Sequence, residues 1–117
     1  AAARLAEFRR RQGLRVAVAD VESLYDAFTW GILDPAAIRA FFSAAWWDWP
    51  APRPRYALLL GAASTDYRCR QWTKKTWVPA YHSWTAELGL TPDDNWYVCV
   101  DGPVYTYAQL KQLPNEL

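Results

Sequence analysis

The sequence predicts an α/β domain, with a small, mostly parallel sheet flanked by helices, and three observations predict it. Leu14–Ala19 (LRVAVA) is a short apolar run in which Val16 and Val18 alternate, bounded by Gly13 and Asp20. RYALLLG, over 55–61, is a continuous apolar run closed by glycine, the pattern of a strand covered on both faces. Between them Ile38, Phe41, Phe42 and Ala45 recur at helical spacing. Strand, helix and strand in that order form a βαβ unit with a right-handed crossover and parallel strands. Their carboxyl ends fall at Ala19–Asp20 and Gly61–Ala62, and open α/β sheets usually meet ligands at that edge.

The remaining elements follow from local chemistry. Residues 2–12 read as a helix: Leu5 and Phe8 share a face, Arg9, Arg10 and Arg11 crowd the last turn, and Gly13 follows as the C′ residue. Cations suit the negative end of the helix dipole, so the arginine run needs no ligand to explain it. Val21, Leu24, Tyr25 and Phe28 predict a short helix or helical turns ended by Gly31. Asp34 before Pro35 is an N-cap followed by an N1 proline, which opens a helix over 35–48. PAPRP (50–54) stops it. Beyond Ala62, STDYRCRQ (64–71) reads as a loop with Asp66 as turn former, and WVPAY (77–81) as a short edge strand broken by Pro79. TPDDNW (91–96) reads as a turn and WYVCV (96–100) as a strand, while TYAQLKQLPNEL has helix-forming composition up to Pro114. No repeat or low-complexity tract interrupts the 117 residues, which read as one domain, 1–117.

Composition excludes several function classes. Apolar residues make up 52% of the chain and charged residues 21%, enough for a packed core and against intrinsic disorder. Thirteen Lys and Arg face twelve Asp and Glu, so bulk charge does not suggest nucleic acid or an anionic membrane as partner. No apolar stretch approaches the roughly 18 residues of a membrane span. The opening AAARLAEFRRR shows no apolar run before a cleavage site and does not read as a signal peptide. Eight Trp and no Met give rigid aromatic anchors in place of adaptable thioethers. Most of them fill the core and its rim on this reading, with a contact surface for a partner or a carbohydrate as the alternative.

Candidates for chemistry are few. Cys69 and Cys99 read as two half-buried thiols, with a bridge between them as the alternative outside the cytoplasm. His82 is the single histidine, thirteen residues from Cys69 across a stretch with no glycine and no helix start to activate a thiolate. Asp93, Asp94 and Asp101 with Asn95 could offer oxygens to calcium, but their spacing is not that of an EF-hand loop and they read as turn formers and caps. Neither predicted βα turn holds a glycine-rich phosphate loop, so no nucleotide cofactor is implied. The reading assigns no catalytic residue, no metal and no cofactor.

Three segments in order carry a resemblance: GLRVAVADVESLYDAFTWGILDPAAIRAFF (13–42), RPRYALLLGAASTDYR (53–68) and DDNWYVCVDG (93–102). Together they resemble the N-terminal part of a gingipain-type cysteine peptidase catalytic domain. The resemblance implies a partial caspase-like three-layer fold, descent from a cysteine endopeptidase, peptide substrates and an extracellular or exported setting. Ala62 stands where the family usually has an acidic residue, and PVYTYAQLKQLPNEL (103–117) departs from the family's continuation. No residue matches the family's His-Gly segment or its nucleophilic cysteine, so Cys69, Cys99 and His82 inherit no catalytic role. The chain then supplies the scaffold half, with Asp94, Ser64 and Asp66 as substrate-cleft candidates and the other half-domain or a second copy as partner. The alternative is a non-catalytic interaction module using a Trp-rich surface and an open sheet edge.

Overall fold

A computed structural model describes residues 1–64, 66–71 and 75–101. Its elements are α1 (Ala2–Arg11), α2 (Val21–Phe28), α3 (Pro35–Trp47), β1 (His82–Thr85), β2 (Gly89–Pro92) and α4 (Asn95–Val98). Helix and sheet are thus both present, and the sheet is a two-stranded antiparallel hairpin.

The helices obey their sequence signals. Asp34 Oδ1 accepts the Ala36 amide at 2.8 Å and Pro35 occupies the first turn, which fixes where α3 begins. Asp20 caps α2 in the same way through the Ser23 amide at 3.2 Å. Gly13 adopts φ +89° after α1, where its amide bonds the Arg10 carbonyl at 2.9 Å. Helix α2 packs on α3 and α3 on α4. Ile38, Val78 and Tyr97 form the buried centre, lined by Val21, Leu24, Phe42, Leu59, Tyr81 and Trp96.

The two predicted parallel strands are not formed. Among the described residues no backbone hydrogen bond joins 14–19 to 55–61. A strand persists only when a neighbour pairs its backbone and its apolar faces are covered. Neither condition holds: Tyr56 is 85% exposed, Leu58 68% and Val18 56%. Arg10 Nη2 instead donates to the Val16 carbonyl at 2.9 Å, taking an acceptor that a strand partner would use. Leu59 alone of the 55–60 stretch reaches the core cluster.

Three other expectations move. WYVCV is not a strand: its first three residues belong to helix α4 and Cys99 caps it, because Tyr97 is drawn inward, where its hydroxyl donates to the Pro79 carbonyl, and Trp96 is drawn onto Tyr81. WVPAY is not an edge strand; pairing begins one residue later, at His82. Thr91 and Pro92, expected in a turn, pair as strand β2 with Ser83 and His82. The hairpin turns through residues 86–88, with Gly89 at φ +69° and the Leu88 amide donating to Thr85 Oγ1 at 3.2 Å. The helix expected within 106–117 and Trp72 lie outside the described residues.

Candidate functional site

The carboxyl edge predicted for ligand contact contains the Ser64–Arg68 loop and Asp93–Asn95, and the structure orders each by local hydrogen bonds. Asp66 acts as the turn former. Its amide donates to Ser64 Oγ at 3.1 Å, its Oδ1 accepts the Arg70 amide at 2.9 Å, and its Oδ2 accepts the Gln71 amide at 2.7 Å. Two backbone donors satisfy a carboxylate well, so Asp66 spends its charge on holding this loop. Asp94 precedes α4 at the cap position; its exposed side chain makes no capping bond.

Tyr97 is fully buried and its acidity is suppressed, first by burial and then by the field of Asp94. Tyr25 and Tyr67 push in the same direction, and a hydrogen bond from the Tyr81 backbone opposes them. Tyr67 belongs to the Asp66 turn, and Asp94 precedes α4, whose Tyr97 amide donates to the Asp94 carbonyl at 3.2 Å. Ser64 and Asp66 are joined directly by a hydrogen bond, whereas Asp94 stands at the start of α4.

The other reactive side chains occupy separate elements. His82 lies in β1 with Nδ1 3.2 Å from the Ala80 carbonyl. Cys69 is exposed in the Asp66 turn at φ +51°, Cys99 ends α4, and the two sulfurs are not bonded to each other. Among the described residues no three His, Cys, Asp or Glu side chains gather as metal ligands; Asp93, Asp94 and Asp101 do not converge. No described helix is long and apolar enough to cross a membrane.

One cluster escaped the sequence reading. The Tyr81 and Trp96 rings stack, and the Arg39 guanidinium lies over the other part of this assembly, 5.1 Å from the Trp96 ring centroid. Arg39 Nη2 donates to the Cys99 carbonyl at 2.9 Å, and Arg39 Nε is buried without a hydrogen-bond partner. Beside it an open groove of about 270 Å³ is lined by Ala36, Arg39, Ala40, Ser43 and Val100. The signal was a cation inside an otherwise apolar helical segment, PAAIRAFF, where solvation alone does not account for it.

A chain of mixed α and β elements is compatible with many enzyme and binding folds, and comparison narrows the class to peptidases. The model of Peptidase family C25 matches residues 1–114. The chain belongs to that family, and its ancestry is that of a cysteine peptidase. No curated protein and no solved structure matches it.

Proposed function

We propose that this chain is the supporting part of a gingipain-like cysteine endopeptidase domain, without a catalytic His or Cys of its own. The observation that carries the reading is the exposure of 14–19 and 55–61. These apolar segments have strand composition, yet among the described residues neither pairs with a strand partner, and they lie largely in solvent. In a caspase-like three-layer fold they would become parallel strands once further strands and helices cover them. Cysteine-dependent hydrolysis needs a thiolate, an imidazole in reach and donors aimed at the oxyanion. Neither Cys69 nor Cys99 matches the family's nucleophilic cysteine and His82 is not in a His-Gly segment, which favours placing that machinery outside them. Ser64, Asp66 and Asp94 would border a cleft for a peptide substrate, and an exported setting follows from the resemblance alone.

The test is turnover of Arg- and Lys-ending peptide reporters by the purified chain, with a thiol-reactive inhibitor as control. No inhibitor-sensitive turnover is expected. Inhibitor-sensitive turnover that His82→Ala abolishes would overturn the reading.

A non-catalytic interaction module is favoured by a second observation. On the hairpin the outward pair is Trp84 and Leu90, 70% and 67% exposed, while Ser83 and Thr85 face inward and are buried. An apolar face turned outward is what a docking surface requires. Sedimentation discriminates: self-association that Trp84→Ser removes supports the module, and a monomer across the micromolar range counts against it.

A further inference from the structure

The geometry points to a carboxylate-binding site in the groove between α3 and the residues after α4, with Arg39 as its charge and Ser43 as its second donor. This site is independent of the peptidase reading; of the residues discussed there it involves only Cys99, through its backbone carbonyl.

Its construction is specific. Arg39 and Ser43 are one helical turn apart and line the same groove, whose other walls are the side chains of Ala36, Ala40 and Val100. Small-molecule sites combine such apolar walls with a few converging polar groups. The guanidinium is held in place from two sides, by the Trp96 face and by the Cys99 carbonyl. Holding it this way lowers the ordering cost when a ligand arrives. Among the described residues no carboxylate pairs with Arg39, and Nη1 has no protein partner. The buried, unpartnered Nε shows that the side chain is bonded below its capacity.

Arginine's planar fork matches a carboxylate with two parallel bonds. A single cation in an apolar groove compensates one negative charge, so a monoanionic carboxylate with a short apolar body fits better than a phosphate dianion. The carboxylate can come from a peptide's C-terminus or from an acidic side chain.

The test is NMR titration of the full chain, following the Arg39 Nε–H, the Ser43 amide and the Trp96 indole. The probes are acetyl-Ala-Ala-Ala with a free C-terminus, the same peptide amidated, acetyl-Ala-Asp-Ala amide, and inorganic phosphate. Saturable shifts of all three signals below about 20 mM are expected with at least one carboxylate peptide, and none with the neutral amide. The free-terminus and Asp peptides distinguish the two sources. Arg39→Gln should weaken binding at least tenfold. Ser43→Leu removes the second donor and fills the groove while keeping the Arg39 charge, and should abolish binding while leaving the Trp96 indole signal in place. Equal shifts with the neutral amide, stronger binding of phosphate, no saturation, or binding that survives Ser43→Leu would each overturn the assignment.

Discussion

Tyr81 and Trp96 lie face to face, their ring centroids 3.9 Å apart and their planes within 7° of parallel. This stack joins the segment entering the hairpin to α4, and through Trp96 it reaches Arg39 on α3. Aromatic pairs gain about 0.5–1.5 kcal/mol beyond their buried area. A double-mutant cycle of Tyr81→Leu and Trp96→Leu, followed by urea unfolding, is expected to return a coupling in that range. Strict additivity would show that the two rings are merely neighbours.

Gly61 supplies a second, sharper prediction. A Cβ built on it would sit 2.6 Å from Trp77 Cβ and 3.2 Å from a Val78 methyl. The Trp77 ring carries Lys75 beside it, whose Nζ lies 4.6 Å from its centroid and 2.6 Å from Glu22 Oε1. The atom met is a Cβ fixed to the backbone and not the tip of a flexible side chain, so it cannot swing away, and Gly61→Ala is expected to cost about 1–3 kcal/mol. Gly13→Ala is the control: it meets nothing within 4 Å, and only its φ of +89° opposes the change, at about 1–2 kcal/mol. A harmless Gly61→Ala in chemical denaturation would refute the close approach.

These contacts also show where sequence was readable. Helix α3 was legible because its signals are local: Asp34, Pro35 and the spacing of Ile38, Phe41, Phe42 and Ala45 act within a few residues. The turn of Asp66 was legible for the same reason, since its carboxylate bonds amides four and five residues onward. Residues 96–100 were misread because Trp, Tyr and Val favour strands, whereas the contacts of Trp96 with Tyr81 and of Tyr97 with Pro79 are tertiary. The 14–19 and 55–61 runs carry strand composition without the partners that make a strand. The Arg39 groove was invisible because its parts lie 60 residues apart along the chain.

Alkaline pH should unfold the protein through its buried phenols. The Tyr25 pKa is pushed up from 10.0 to about 12, chiefly by burial, with Glu22 and then Asp34 adding. Tyr97 is raised for the same leading reason. The folded state therefore keeps protons that the unfolded chain releases. Stability is complete below about pH 10 and falls as pH rises from there toward 12, by up to about 1.4 kcal/mol per pH unit for each group. Urea midpoints measured between pH 8 and 11 are expected to be flat and then to decline. Tyr25→Phe should make the decline shallower; an unchanged slope in that variant would show that Tyr25 is not the group responsible.

The start of α3 offers the cleanest separation of local from tertiary stabilisation. Asp34 has an extended backbone, φ −145° and ψ 130°, and its side chain accepts the Ala36 amide. That bond satisfies one of the amides every helix leaves unpaired at its first turn. The helix it starts carries Ile38 and Phe42 into the core and Arg39 and Ser43 to the groove. Asp34→Ala is expected to cost about 1 kcal/mol, Asp34→Asn only a few tenths, and Asp20→Ala somewhat less than Asp34→Ala because its bond is longer, 3.2 Å against 2.8 Å. Because Asp34→Ala frays the first turn and leaves the later turns packed, amide exchange should accelerate at Ala36 and Ala37 and stay slow at Ala45. Uniform acceleration along α3 would mean that the cap governs the whole helix and that its packing against α2 and α4 contributes little.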